Sequence, residues 1–332
     1  MGKLQDISIL RAIAILIVVA FHVYGMTYQG EHFCQEMKDS YAVLYFIPIN
    51  VIAINIAMPL FTFISGYLFQ YLLEKGKYST WKDLLLNKTK RIFIPFYFWT
   101  IIMMFTTNSV DYQSLFRGGY WHLWYLPMLF WCFVYAYALK KWSNKQWFAI
   151  TVLVASFVLP FFGKFLPEFL GLYNSTMWYC WFALGAYSFV WRDSIASSLK
   201  KFYLNVLLLI AFIVFNCYFP TEYGENTIYG TILQIGAVLG IWSIFHNMSE
   251  SHISKFSFLE PISKTSFGLY IFHNWFGLYM VSTTANRLLG LESFGMTHPI
   301  LFPLILFLAN LIISYGLTWL LMKNKYGRML VG

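Results

Sequence analysis

Residues 7–28 read ISILRAIAILIVVAFHVYGMTY, an apolar run long enough to cross a lipid bilayer as one helix. Apolar and polar residues do not alternate along it, so the run predicts a helix and not a strand. Two ionisable residues interrupt it, Arg11 near its start and His22 further along. Because an ionisable group inside a bilayer is costly and is usually functional, both residues are candidates for a site.

The whole chain shares the apolar character of this run. Of its 332 residues, 59% are hydrophobic, 21% are aromatic and only 11% are charged. Soluble domains are roughly 45–50% apolar and about 25% charged. Lipid is therefore the expected solvent of this surface, and only helices or closed barrels satisfy their backbone polar groups in lipid.

Further apolar runs divide the chain into segments of similar length. They lie near 45–72, 92–107, 121–139, 146–163, 177–191, 202–219, 228–246, 266–284 and 300–322. The second run extends from Tyr41 to Leu73, and Pro48 and Pro59 are expected to kink it. We expect an all-α, polytopic membrane helix bundle with about ten transmembrane helices, forming one domain over residues 1–332.

Basic residues fall on one side of this arrangement, although the net charge of +9 could by itself suggest a nucleic-acid partner. If the N-terminus is cytoplasmic, all but four of the 23 Lys and Arg residues lie inside. The four on the outside are Lys38, Arg117, Lys164 and Arg287. The rule that cytoplasmic loops are basic then predicts that both termini are cytoplasmic, and no nucleic-acid partner is expected.

Several other classes of site lack their usual sequence signals. The four cysteines form no CxxC pair and no disulfide framework. There is no HExxH-type spacing, so no metal site is expected. No Asp or Glu interrupts the apolar runs, which argues against a proton-coupled transporter.

Arg11 and His22 are placed to act on the same side of the first helix. At about 100° per residue, their spacing is roughly three full turns, so both side chains face the same way, ~16 Å apart along the axis. We expect Arg11 near the cytoplasmic interface and His22 near the middle of the membrane. The alternative is structural, with Arg11 extending to the interface as an anchor and His22 bonded to a neighbouring helix.

A second histidine is expected at a similar depth. The ninth run contains SFGLYIFHN, residues 266–274, in which His273 is followed by Asn274. His273 is ~13 Å from the cytoplasmic end of this helix, which Lys264 marks. A structural hydrogen bond between helices is an equal alternative for His273.

Three other segments carry candidate residues. FTFISGY, residues 61–67, contains Ser65 and Tyr67, and close helix packing is the favoured role for its Ser and Gly. KTKRIFIP, residues 88–95, is either a topology anchor or a phosphate site formed by its Lys and Arg residues. YWHLWYLP, residues 120–127, is either an interfacial aromatic belt or a platform on which sugar rings stack.

Taken together, these segments resemble acyltransferase family 3, the integral membrane acyltransferases that modify bacterial glycans. The matching features are the Arg-x10-His of the first helix, the SGY segment, the basic loop ending in Arg and Pro, and the late SxGxYxxH. Lys88 stands where many members have Arg. YWHLWYLP resembles the sugar O-acetylase branch. The resemblance runs from residue 6 to about 275.

This resemblance implies an enzyme that transfers an acyl group from cytoplasmic acyl-CoA, most often acetyl-CoA, to a hydroxyl of a cell-surface glycan or its sugar or lipid-linked precursor. It implies His22 and Arg11 as the essential pair. Lys88, Lys90 and Arg91 would hold the phosphates of the donor. Residues expected to contact the acceptor or support the site are Ser65, Tyr67, His122, Trp124, Tyr125, His273 and Asn274.

The chemistry of these residues agrees with such a reaction. Histidine is the usual base near neutral pH, and a site inside the membrane excludes the water that would hydrolyse a thioester. Acyl-CoA would be a co-substrate, with no tightly bound cofactor and no metal. Direct attack and a covalent acyl-enzyme both fit, as do acetyl and succinyl groups.

The expected location is the inner (cytoplasmic) membrane, with multiple crossings and lipid as a partner, and a homo-oligomer stays open. Two other functions compete with the enzyme. One is a transporter or flippase of a glycan intermediate, and the other is a non-catalytic subunit of a glycan assembly complex. Neither alternative predicts turnover of acyl-CoA that depends on His22.

The predicted orientation has a direct test. A membrane-impermeant thiol reagent should label Cys34 on intact cells, because the distribution of basic residues places the loop after the first helix outside. A cysteine introduced at Lys141 should stay unlabelled until the membrane is permeabilised. Labelling of the position-141 cysteine on intact cells, with none at Cys34, would show that the orientation is inverted.

Overall fold

The computed structural model describes residues 4–28, 52–107, 110–163, 165–218, 228–280, 284 and 288–332. Within these ranges the regular structure is helical, without strands, which confirms the all-α prediction. The α-helices are α1 (Gln5–Tyr28), α2 (Met58–Glu74), α3 (Trp81–Lys88), α4 (Ile94–Thr107), α5 (Tyr112–Arg117), α6 (Tyr125–Leu139), α7 (Gln146–Val158), α8 (Pro160–Gly163), α9 (Leu172–Val190), α10 (Arg192–Ser198), α11 (Phe202–Tyr218), α12 (Ile228–His246), α13 (Glu250–Ile253), α14 (Glu260–Phe272), α15 (Leu291–Thr297), α16 (Leu301–Met322) and α17 (Lys325–Val331).

Short π and 3-10 segments connect several of these helices. The π-helices are Ala53–Ala57, Thr89–Phe93 and Trp275–Met280. The 3-10 segments are Trp121–Trp124, Lys140–Trp142 and Ser254–Leu259. Two of the π-helices directly adjoin sequence motifs, the basic loop and the late histidine, which is notable because π turns often occur at functional sites.

Five stretches of helix are long and apolar enough to cross a membrane, among the residues that the structure describes. They are Gln5–Gly25, Asn55–Glu74, Tyr112–Trp142, Tyr229–His246 and Leu301–Met322. The pair α10 and α11 would make a sixth if it counts as one span bent by 83°. The chain is thus a polytopic membrane protein, while the count of ten crossings and the sides of the termini stay predictions.

The described chain divides into two compact units. The first unit comprises Met1–Leu60 and Ala196–Leu320, and the second comprises Phe61–Ile195 and Leu321–Gly332. Each unit therefore draws its helices from separate parts of the sequence. The expectation of a single functional domain over residues 1–332 stays a prediction.

In the first unit, α1 packs against α14, α12 and the π-helix Ala53–Ala57, while α11 packs along α12. An apolar cluster that includes Ile9 and Ile253 joins α1 to the segment before α14. Ser8 donates a hydrogen bond from its hydroxyl to that of Ser263 (2.9 Å), which fixes α1 against α14 near their first turns. This pairing matters because α1 carries His22 and the end of α14 leads into His273.

Pro59, the kink position expected in the second apolar run, stands just after an irregular stretch of helix. Proline has no N–H, so it cannot donate to the carbonyl of Asn55 four residues earlier. The helix forms a π turn over Ala53–Ala57, and the side-chain amide of Gln234 on α12 donates to the Asn55 carbonyl (2.5 Å). A neighbouring helix thus supplies the donor that the proline lacks. Pro48, the other predicted kink, lies outside the described residues.

In the second unit, α9 packs against α6 and α7, and it approaches α2 so closely that backbones touch. A Cβ on Gly66 would meet the carbonyl of Phe182, and a Cβ on Gly185 would meet the carbonyl of Phe63. Glycine permits such an approach because it has no side chain. Gly66 of the SGY segment therefore has the packing role that its sequence suggests.

The contact at Gly185 predicts a large loss of stability on substitution. Gly185→Ala should lower the free energy of unfolding by about 1–3 kcal/mol, because the new methyl group meets backbone that cannot rotate away. Thermal unfolding of the purified protein in detergent measures the effect. Gly316→Ala is the matched control, because this helical glycine on α16 has open space around it. Equal shifts in the two variants would contradict the packing role.

Candidate active site

The candidate site is built where α14 ends. This helix begins with Glu260 and Pro261. Proline is favourable in a first turn, because the N–H that it lacks would have no partner inside the helix there. It stops at Phe272, and the chain continues through His273 and Asn274 into the π-helix Trp275–Met280. The N–H of Tyr279 donates to the Asn274 carbonyl (3.0 Å), a five-residue spacing that widens the helix.

His22 and His273 come together across the contact between α1 and α14. Their ring centroids are 4.8 Å apart and the planes are tilted by 54°. The amide nitrogen of Asn274 lies 3.3 Å from Nδ1 of His22. The two deep histidines predicted at similar depth are thus neighbours, and Asn274 touches the ring predicted to be catalytic.

The hydrogen bonds of His273 settle its neutral tautomer. Its Nδ1 lies 2.7 Å from the carbonyl of Tyr270 and 3.2 Å from that of Leu269. Carbonyl oxygens only accept hydrogen bonds, so Nδ1 carries the proton and Nε2 is the acceptor nitrogen of the neutral ring. His273 is completely buried, whereas His22 is only half-buried. Of the two, His22 is the more exposed ring.

Arg11 lies half-buried on α1 and carries a charge without a counter-charge among the described residues. None of those residues forms a hydrogen bond or an ion pair with its guanidinium. The helix spacing puts it ~16 Å from His22, too far for direct contact. A cation in this position is suited to attracting an anionic ligand, and the structure does not bring it to the His22–His273 pair.

Lys88 is the other unusual cation, and it belongs to the second unit. Its side chain is 8% exposed and its Nζ lies 3.3 Å from the ring centroid of Phe133. The rings of Tyr78 and Phe69 face the same ammonium at 5.3 and 5.4 Å. No carboxylate among the described residues pairs with it. The amine therefore lies in an aromatic cage, where cation–π contacts favour its charged form.

Burial and neighbouring charges act against that charged form. Burial lowers the pKa of Lys88 well below its usual range, and the nearby cations Arg91 and Lys77 lower it further. An anion such as a phosphate would relieve both effects. Lys90, the third residue of the predicted phosphate site, is exposed. The structure thus places the charges of Arg91 and Lys77 near Lys88, while the binding of phosphate by this group stays a prediction.

The aromatic residues around Lys88 were not predicted from the sequence. Phe69 lies on α2, Phe133 lies on α6, and Tyr78 lies in the loop between α2 and α3. The hydroxyl of Tyr137 donates to the Tyr78 carbonyl (3.3 Å) and holds this loop. Tyr78 precedes Lys88 by ten residues and lies outside the KTKRIFIP segment, so the sequence motif did not include it.

The remaining predicted site residues lie in the second unit. Tyr125 is buried, and its hydroxyl is within reach of Thr62 and Ser65. Ser65 also donates to the Phe61 carbonyl of its own helix (2.9 Å).

The other three are an interior tyrosine and two residues of the 3-10 segment. Tyr67 is buried with its ring edge against Phe189, at 5.1 Å between centroids. His122 is buried in the 3-10 segment, while Trp124 is half-buried and lies 5.6 Å from Trp178. Trp124 is therefore the more accessible of these predicted acceptor contacts.

The potential metal ligands and the cysteines are dispersed among the residues that the structure describes. Its residues contain no group of three His, Cys, Asp or Glu side chains that could hold a metal ion. Cys132, Cys180 and Cys217 are free thiols, and Cys34 lies outside the described residues. What these residues bring together is a pair of histidines with an asparagine in the first unit and a cluster of cations in the second.

One comparison with known proteins gives a match. Residues 4–319 match the family model described as Acyltransferase domain, acyltransferase family 3. The match covers nearly all of the chain, including both histidines and the basic loop. No curated protein and no solved structure matches.

The Lys88 cage predicts a pH dependence of anion binding. The pKa of Lys88 is depressed in the free protein, and a bound phosphate would raise it, so binding takes up a proton. Affinity for coenzyme A should fall as pH rises from the depressed pKa towards the higher pKa of the complex. Lys88→Arg stays charged throughout, and its affinity should change less with pH.

Isothermal titration with coenzyme A between pH 6 and 9 measures this difference. Lys90→Arg is the control, since Lys90 is exposed, and it should keep the wild-type slope. A Lys88→Arg protein whose affinity falls with pH as steeply as wild type would contradict the assignment.

Proposed function

We propose that this chain, which belongs to acyltransferase family 3 and is an integral membrane acyltransferase, moves an acyl group from acyl-CoA to a hydroxyl of a cell-surface glycan or of a precursor of such a glycan. The observation that carries the proposal is the contact of His22 with His273 and Asn274 inside apolar helices. A family match alone gives the class of reaction. The cluster supplies a base of the kind that acyl transfer to a hydroxyl needs.

His22 is the general base in this proposal. Its ring takes the proton of the acceptor hydroxyl while the oxygen attacks the thioester carbonyl carbon. The new C–O bond forms, the C–S bond breaks, and the thiolate of coenzyme A receives the proton from the imidazolium. His22 supports this role better than His273, because His22 is half-buried and His273 is completely enclosed.

Asn274 orients the base. A general base needs one ring nitrogen that accepts a proton and another that is held in place. If the amide of Asn274 presents Oδ1 to the ring, Nδ1 of His22 carries the proton and Nε2 accepts the substrate proton. The oxygen and nitrogen of a side-chain amide have the same shape, so this arrangement fits the observed 3.3 Å contact equally well.

The donor phosphates are assigned to the cation cluster of the second unit. The positive charge comes from Lys88, Arg91 and Lys77. Lys90, which is exposed, adds to the positive potential of this cluster. Arginine and lysine are the usual partners of phosphate groups. Arg11, which has no counter-charge among the described residues, is proposed to position the anionic donor rather than to take part in proton transfer.

The acceptor is proposed to be a sugar hydroxyl, most readily with acetyl as the transferred group. The support is the YWHLWYLP segment, in which the half-buried Trp124 lies beside Trp178. Aromatic faces of this kind present a flat apolar surface next to polar groups, as sugar rings require. Of the competing functions, neither a flippase nor a non-catalytic subunit needs a base at His22.

The experiment that tests the proposal measures acetyl-CoA turnover by the purified protein in detergent. His22→Gln keeps a side chain that hydrogen-bonds but cannot take up a proton, so turnover should fall by ~10²–10⁴-fold. A purely structural histidine would tolerate this change, because glutamine can serve as a partner between helices.

The matched control is His252→Gln, an exposed histidine of the same unit, which should leave turnover unchanged. Thermal unfolding should be similar in all three proteins. If His22→Gln turns over acetyl-CoA at the wild-type rate, His22 is not the base. If the wild-type protein shows no turnover at all with any glycan acceptor or with water, the flippase or subunit functions become preferable.

A further inference from the structure

A stripe of polar side chains runs along one face of α16. Asn310, Ser314 and Thr318 recur every fourth residue, so they lie above one another on the helix. All three are completely buried, although α16 is otherwise one of the most apolar helices of the chain. Buried polar groups inside a membrane protein usually serve a structural or functional contact.

The stripe faces α14 and the turn that follows it. The amide nitrogen of Asn310 donates to the carbonyl of His273 (2.8 Å). The hydroxyl of Ser314 donates to Oδ1 of Asn310 (3.0 Å), and the hydroxyl of Thr318 donates to the Ser314 carbonyl (2.7 Å). Since carbonyl oxygens only accept, the first two bonds fix the orientation of the Asn310 amide, with its nitrogen towards His273 and its oxygen towards Ser314.

Two glycines allow this face to approach. A Cβ on Gly277 would meet the side chains of Asn310 and Ser314, and a Cβ on Gly268 would meet that of Thr318. Gly268 lies in α14 and Gly277 lies in the π-helix Trp275–Met280. The polar side chains of α16 therefore pack directly against backbone before His273 and after Asn274.

We propose that Asn310 is a positioning residue for acyl transfer, because it holds the turn that presents Asn274 and His273 to His22. This inference rests on the proposed function. Asn310 does not touch His22 or the reacting atoms, and it acts through the backbone of His273. The first five-residue bond of the π turn is accepted by the Asn274 carbonyl, and the His273 carbonyl directly precedes it. A fixed external donor at the His273 carbonyl therefore holds the backbone where it enters the wider turn.

A shift of this turn would move the side-chain amide of Asn274 away from the ring of His22. The contact of Asn274 with His22 is 3.3 Å, already near the limit of a hydrogen bond, so a small displacement breaks it. Misplacement of a catalytic group by about 1 Å can lower a rate by roughly 100-fold, while donor binding at a separate cation cluster need not change. The expected signature is a loss of kcat at constant KM for the donor.

Asn310→Leu removes the donor and keeps the volume. We expect kcat for acetyl-CoA turnover to fall roughly 10- to 100-fold with KM unchanged. We also expect faster amide hydrogen exchange in peptides covering residues 270–280. The matched control is Asn216→Leu, because Asn216 is a buried asparagine of the same unit whose amide donates to the Phe212 carbonyl of its own helix (2.9 Å). It should keep the wild-type kcat and the wild-type exchange of residues 270–280.

Ser314→Ala is the second variant, and it is milder, because alanine fits the space of serine and removes only the bond to Asn310. We expect a smaller fall in kcat, again at constant KM. If Asn310→Leu is not recovered as a folded protein, Ser314→Ala decides, and a wild-type kcat in that variant would overturn the proposal.

His22→Gln is measured in parallel so that the two proposals can be separated. If His22→Gln is inactive and Asn310→Leu matches wild type, the positioning role is wrong and the proposed function stands. An equal loss of kcat in Asn310→Leu and Asn216→Leu would also overturn the positioning role. If His22→Gln retains wild-type turnover, the proposed function is wrong and the positioning role falls with it.

Discussion

Polar groups inside an apolar helix must find their partners within the protein, and the first unit is organised around that constraint. At two places the regular helix gives way to a π turn, and a side-chain amide from another helix donates to a backbone carbonyl there. Gln234 donates to Asn55 where Pro59 lacks an N–H, and Asn310 donates to His273 where α14 ends. The second of these turns carries the histidine that meets His22.

Much of the fold follows from the sequence because it depends on local composition. Each of the ten apolar runs contains a helix of the structure, although the bounds differ, and α14 for example begins at Glu260 instead of near 266. Proline in the first turn allows that earlier start. The π turn just before Pro59 also fits the sequence, since proline removes a donor wherever it stands in a helix.

The site was less predictable, because it depends on which helices pack together. The spacing of Arg11 and His22 shows that they share a face of the first helix, and the position of His273 in its run shows how deep it lies in the membrane. Neither observation shows that α1 and α14 are neighbours. The Lys88 cage takes Phe69 and Phe133 from distant helices. Asn310 did have a signal in the four-residue spacing of the polar stripe, which a search for ionisable residues passes over.

The proposed reaction depends on one step, in which His22, held between the helices, takes the proton of the acceptor hydroxyl during acyl transfer. The most direct measurement is the single-turnover rate of acyl transfer in H₂O and in D₂O, at saturating acetyl-CoA, so that product release does not mask the chemical step. We expect slower transfer in D₂O for the wild-type protein, because a proton moves in the transition state. Equal rates in the two solvents would contradict it.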